Sequence, residues 1–148
     1  MSDKLEFTLP GWPPSLNSMY ITLWEQRKRV LSPEARSFKQ KAVSHLTTEF
    51  FQQISEFEGD ENCIYTFHAS FYGNWFTRPG AKSKYKKRDV FNMGKLLEDV
   101  VAEILGIDDS ANFRIVLDKV DSPEQLTIIR YSILRRLDDV QGSGGVTD

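Results

Sequence analysis

A chain of 148 residues with 40% hydrophobic and 12% aromatic content is long enough for one domain with a real core and too short for several. Its formal net charge of −2 excludes wholesale coating of nucleic acid, so any phosphate contact must come from a local patch. A single cysteine, Cys63, excludes an intramolecular disulfide, and no apolar run is long enough for a bilayer or a leader segment; the expectation is a cytoplasmic protein with no membrane partner.

Leu5, Phe7 and Leu9 alternate with Lys4, Glu6 and Thr8, a half-buried strand that Pro10 ends. Gly11 to Asn17 reads as a loop stiffened by Pro13 and Pro14, with Trp12 anchored on the core. Ile21 to Leu31 suggests a small hairpin with Arg27, Lys28 and Arg29 at its tip. Such a tip is either merely solvated or a second phosphate contact. Ser32-Pro33-Glu34 is a helix start: an N-cap hydroxyl, proline at the first helical position and an acid in the first turn. That helix is expected to run to about Phe57, burying Phe38, Ala42, Leu46, Phe50 and Ile54. His45 beside this stripe reads as structural.

Cys63 to Tyr72 alternates most clearly of all and predicts a central strand, with His68 on its more polar face. Asn74 to Arg88 is a loop that carries Arg78, Lys82, Lys84, Lys86, Lys87 and Arg88 with no acid among them. Trp75, Phe76 and Tyr85 are mixed in. Cations alone suit a solvated surface or phosphate; aromatics among them suit stacking on unpaired bases. Val90, Met93, Leu97, Val100, Val101 and Ile104 then recur at helical spacing, and Gly106 sits where a left-handed C-terminal turn would stop the helix. Phe113, Ile115 and Leu117 begin a strand, and Leu126 to Ile133 forms another. Joined by the short turn at Asp121 to Glu124, these two are expected to be antiparallel neighbours. The element order predicts a single α+β domain over residues 1–136: two layers, with two main helices on one face of a mixed sheet. Residues 137–148, rich in glycine, are expected to be a disordered tail. Leu5, Phe7, Phe67, Leu97, Val101 and Ile115 are expected to share one core.

The stretch from Lys86 to Ser110, KKRDVFNMGKLLEDVVAEILGIDDS, carries the chemistry. It resembles the RusA family of Holliday junction resolvases, whose pattern is a basic run, D-x-D-N, K-x-x-x-D, a turn and D-D-S. Asp89, Asn92, Lys95, Asp99, Asp108 and Asp109 match in order. LEFTLPGWPPSLNSMY looks like the family's opening strand and W-P-P-S-x-N loop, and VLSPEARSFKQKAV like its first helix. The likeness extends to about Val120. One family position differs: Phe91 stands where the second aspartate of D-x-D-N would be.

The resemblance implies a RusA-like endonuclease that resolves four-way DNA junctions by paired symmetric nicks, acting as a homodimer. It implies Mg²⁺, or Mn²⁺ in its place, held by Asp89, Asp108 and Asp109. Asp89, Lys95 and Asp109 are the expected catalytic groups, and Lys82, Lys84, Lys86, Lys87 and Arg88 the DNA contacts. Asn17 and Asn92 would support them. Magnesium takes about six oxygens and keeps several as water, so one or two carboxylates with a substrate phosphate can suffice; the loop after Gly106 is expected to fold back and bring the Asp109 carboxylate within about 8 Å of that of Asp89. Lys95 would neutralise charge that builds in the transition state. Phenylalanine cannot ligate a hard cation, so either Asp89 with Asp108 and Asp109 holds the metal, or Glu98 or Asp99 compensates, or the chain binds junctions and cuts them poorly. A partly buried Phe91 is expected. On the residues alone, Asp89 or Asn92 could be a helix cap and Asp108-Asp109-Ser110 an ordinary turn. A small interaction domain unrelated to DNA also stays open.

Overall fold

A computed structural model describes residues 1–14, 20–76 and 80–137. The chain forms a four-stranded mixed sheet with its helices on one face and a separate two-stranded hairpin. Strand β1 (Lys4–Pro10) buries Leu5, Phe7 and Leu9 as the alternation predicts. The hairpin follows as β2 (Tyr20–Leu23) and β3 (Lys28–Leu31), paired antiparallel. Its turn is Trp24 to Arg27, so Lys28 and Arg29 lie in the strand and not at the tip.

Helix α1 (Pro33–Glu49) begins at the predicted cap, where Ser32 Oγ accepts the Ala35 N–H at 3.2 Å. It does not run on to Phe57. The backbone leaves helical geometry at Phe50 (φ −116°, ψ 28°), and a short α2 (Phe51–Glu56) resumes. Phe50 packs its ring against Phe7 at 5.4 Å. The sequence stripe is still correct: Ala42 and Leu46 are buried, and Phe38, Phe50 and Ile54 pack around them. His45 is exposed, so it is not a buried structural group.

Strand β4 (Cys63–Gly73) is central, as expected. Cys63, Tyr65, Phe67, Ala69 and Phe71 face the helices; Thr66 and His68 face away and are half-buried. Helix α3 (Val90–Leu105) crosses back over the sheet to β5 (Asn112–Asp121), which pairs parallel to β4. Parallel strands need a crossover of this kind. Strand β6 (Leu126–Arg136) pairs antiparallel to both β4 and β1.

The strand order β1-β6-β4-β5 overturns one expectation: β5 and β6 are not neighbours, because β4 lies between them. The brief link at 122–125 passes over the end of β4, where the Ser122 N–H bonds the Gly73 carbonyl at 2.9 Å. Four residues reach roughly 13 Å when extended, enough to cross two strand spacings of about 4.8 Å each. A short connection therefore did not require adjacency.

The core joins β1, β4, β6, α1 and α3 through Leu5, Phe7, Leu46, Phe67, Leu97, Val101, Ile129 and Tyr131. Ile115 does not belong to it and is 52% exposed. It lies on an edge strand of which α3 covers only part. Leu96, on α3, is buried instead in a second small cluster with Ala35, flanked by Leu31 and Phe38. No helix among the described residues is long and apolar enough to cross a membrane. Of the predicted tail only Leu137 is described; its N–H bonds the Asn62 carbonyl at 2.7 Å, and 138–148 lie outside the described residues.

Candidate functional site

Helix α3 positions the site. Asp89 is its N-cap, with Oδ1 accepting the Phe91 N–H at 2.8 Å. The capping alternative is thus real for this residue, and it leaves the second carboxylate oxygen for other use. Val90, Met93, Leu97, Val100, Val101 and Ile104 lie on the core side as their spacing predicts. Phe91 does not join them: it is 76% exposed on the first turn, so the expected partial burial is wrong. The position faces solvent, and nothing in the core requires an aromatic ring there. Asn92 is half-buried in the same turn.

At the far end Gly106 takes the left-handed conformation (φ 65°, ψ 32°) that glycine adopts without a Cβ penalty. The chain then folds back, and the Ile107 N–H reaches the Ala102 carbonyl at 3.2 Å. Asp108 caps a single 3₁₀ turn (Asp109–Ala111) by accepting the Ser110 N–H at 2.9 Å. That backbone hydrogen bond, with others from Ser110, holds the Asp108 carboxyl below its usual range. The turn delivers Asp109 to the flank of α3.

There Lys95 Nζ donates to Asp109 Oδ2 at 2.5 Å and lies 3.8 Å from both Glu98 and Asp99. Residues from the helix and from the turn beyond it therefore meet on one ammonium group. The bond from Asp109 is the main reason that Lys95 is held above its ordinary pKa, against the opposing effect of partial burial. Asp99 is pushed up by desolvation, which outweighs the nearby charges of Lys95 and Lys39.

A polar chain runs from this cluster into the core. Glu98 is only 7% exposed, and its Oε2 accepts from Asn112 Nδ2 at 2.7 Å. Asn112 Oδ1 in turn accepts from the Tyr131 hydroxyl at 2.5 Å. Burial pushes the Tyr131 phenol well up, so it stays a neutral donor. Its ring stacks on Tyr65 at 4.8 Å. Sequence reading overlooked Asn112 and Tyr131 because neither belongs to a motif. The available signal was Glu98, an acid at a position that the helical period places toward the sheet.

The basic loop is built on tryptophans. Trp12 and Trp75 stack at 4.2 Å, and each indole N–H donates to a β4 carbonyl, Tyr72 and Phe71 respectively, at 2.7 Å. Trp12 is thus anchored as expected. Arg88 lies over the Trp12 ring at 5.3 Å and donates to the Pro13 carbonyl at 3.1 Å. Arg88 is therefore largely structural, while Lys82, Lys84, Lys86 and Lys87 are exposed. Trp75 is buried, with Lys119 over its ring at 4.7 Å, and cannot serve as a free stacking platform. Phe76 and Tyr85 pair through an isolated β-bridge and remain 60% and 53% exposed. Asn17 and Arg78 lie outside the described residues.

The structure thus brings together Lys95, Glu98, Asp99 and Asp109, and keeps Asp89 at the helix start and Asp108 in its turn. Among the described residues no three His, Cys, Asp or Glu side chains are grouped to hold a metal ion by themselves. The donors present are hard carboxylate oxygens, the type that suits Mg²⁺, which can be bound through one or two carboxylates plus water and substrate phosphate. His68 forms a separate cluster on the open sheet face, with Ser70 Oγ at 3.2 Å and Asp118 Oδ2 at 3.3 Å. Both approach the same ring nitrogen, Nε2, so this is not the relay through two nitrogens that a serine nucleophile needs. The chain matches no protein-family model, and no curated protein matches it.

Proposed function

We propose that this protein is a Mg²⁺-dependent endonuclease of the RusA kind, cutting four-way DNA junctions in the cytoplasm as a homodimer that places one nick in each of two symmetric strands. The observation that carries this reading is the contact of Lys95 with Asp109. These two residues, matched in order to the resolvase pattern, come from separate elements, and a chain of buried polar groups backs them.

In this reading the exposed lysines of the 80–88 loop bind strand phosphates without regard to sequence. Lys95, held protonated by Asp109, offers a fixed positive charge where negative charge builds on the phosphoryl oxygens. Glu98, fixed by Asn112, limits the freedom of that ammonium group. Asp109 and Asp89 are the residues that would offer carboxylate oxygens to Mg²⁺, with Asp108 next to Asp109 in the turn and with water and the substrate phosphate completing the shell. Bound there, the ion would supply an activated water and neutralise the phosphodiester.

Phe91 favours a second reading, a junction-binding protein that cuts poorly, because its exposed phenyl ring supplies no oxygen where the family has a carboxylate. Incubation of a synthetic four-way junction with and without Mg²⁺ separates the two. Paired symmetric nicks that require Mg²⁺ and disappear in Asp109→Asn support the nuclease. Junction-selective binding with no cleavage supports the second reading, and equal affinity for junction and matched duplex removes both.

A further inference from the structure

The edges of the main sheet are unequal. Edge strand β1 has 7 residues and ends in proline, and its start is covered by the bridge from Ser2 to Phe57. Edge strand β5 has 10 residues and no proline, and among the described residues nothing pairs with its outer side. A long open edge is a template for another strand. Beside it lies exposed apolar surface: Phe113 is 69% exposed and Ile115 52%, and Phe91 stands nearby across a groove shared with Ile115 and Leu117.

The sequence of β5 is complementary to itself. Two copies related by a two-fold axis normal to the sheet keep their helices on the same side, so only registers that match like faces are allowed. Past a bulge at Phe113 the strand is regular, and with the axis at Val116, Arg114 lies opposite Asp118 of the second copy and Ile115 opposite Leu117. Both charge pairs are then of opposite sign, and the apolar pair covers exposed Ile115. The adjacent allowed registers forfeit this: centred on Ile115, Arg114 meets Val116; centred on Leu117, Asp118 meets Val116 and Arg114 meets Val120.

Asp118 has room for such a partner. Its side chain is 46% exposed, and among the described residues its Oδ2 meets the imidazole of His68 at 3.3 Å, while Oδ1 is turned inward. Arg114 is exposed and makes no ion pair among the described residues.

We infer that two copies of this chain pair antiparallel along β5, centred on Val116, to form one continuous eight-stranded sheet held in register by reciprocal Arg114–Asp118 ion pairs. The pairing gives the homodimer of the proposed function an interface and rests on that part of the reading; a dimer that fails the cross-link below overturns the pairing alone, and junction cleavage tests the nuclease separately.

Val116→Cys gives the sharpest test. Directly opposed residues in an antiparallel pair have Cα atoms about 4.5–5.5 Å apart, within disulfide range. Val116→Cys is expected to form a covalent dimer under mild oxidation, whereas Val120→Cys, four residues from the axis and so far from its own mate, is not; native Cys63 is buried. In sedimentation, Arg114→Asp and Asp118→Arg are each expected to weaken the dimer by about tenfold, and the double swap to restore it. Ile115→Lys, at an exposed position that folding does not need, should give a folded monomer. A wild type that stays monomeric throughout a dilution series, a dimer that neither single reversal weakens, or a Val120→Cys cross-link as efficient as that of Val116→Cys would each overturn the inference.

Discussion

Removing Asn112 tests whether the polar chain behind the lysine is a unit. Asn112→Ala takes from Glu98, 7% exposed, its 2.7 Å donor, and from the buried Tyr131 hydroxyl its acceptor. A hydrogen bond to a charged group is worth about 1.5–3 kcal/mol, and an unsatisfied buried hydroxyl costs about 1 kcal/mol or more, so a loss of about 3 kcal/mol is expected. At roughly 3 °C per kcal/mol for a chain of this length, Tm should fall by about 9 °C. Tyr131→Phe alone should lose about 1 kcal/mol. The double variant should be hardly worse than Asn112→Ala, because the hydroxyl has already been deprived of its partner. Urea unfolding of all four proteins gives the coupling. A loss below about 1 kcal/mol for Asn112→Ala, or strictly additive losses, would refute a connected network.

Phe91→Asp should fold with stability within about 0.5 kcal/mol of wild type, since the site is exposed, and should raise Mg²⁺-dependent junction cleavage; thermal melts and the cleavage assay on the same variant check it. A stable variant that gains nothing, beside an inactive wild type, counts against a resolvase. Neutralising Lys82, Lys84, Lys86 and Lys87 together should flatten the salt dependence of DNA binding by about 0.9 in log–log slope for each phosphate that is no longer neutralised, and an unchanged slope would make the loop mere solvated surface. Lys95→Met should abolish cleavage and leave junction binding largely intact, as a gel shift with the same junction would report; equal loss of both would assign Lys95 to binding.

The alternation of β1 and β4, the cap at Ser32, the buried face of α3 and the stop at Gly106 were all legible, because each is set by local periodicity or by one backbone angle. The misreadings have another origin. Phe50 breaks a helix that its spacing would continue, where its ring meets Phe7 from a distant strand. Ile115 belongs to an apolar strand, but an edge strand only partly covered by α3 leaves it in solvent. The insertion of β4 between β5 and β6 depends on sheet order, which neither strand encodes alone. At the site, the motif set Asp109 beside Asp89 as metal ligands and did not anticipate its contact with Lys95. Glu98 and Asp99 reach that lysine by helical spacing, the fold-back after Gly106 adds Asp109, and Asp89 stays at the helix start.

The Trp12–Trp75 stack also gives the molecule an optical signature of its own. Two indoles at 4.2 Å and 17° are close enough to couple their strong far-ultraviolet transitions, so a circular-dichroism couplet that neither gives alone is expected. Gly73 permits it, since a Cβ there would come within 2.2 Å of the Trp12 ring. The third tryptophan, Trp24, is 83% exposed in the hairpin turn and emits as an indole in water. Circular dichroism and fluorescence together therefore separate two events that substrate could cause. Prising the Trp12 loop from the Trp75 loop would erase the couplet, whereas engagement of the hairpin would shift the Trp24 emission and leave the couplet standing.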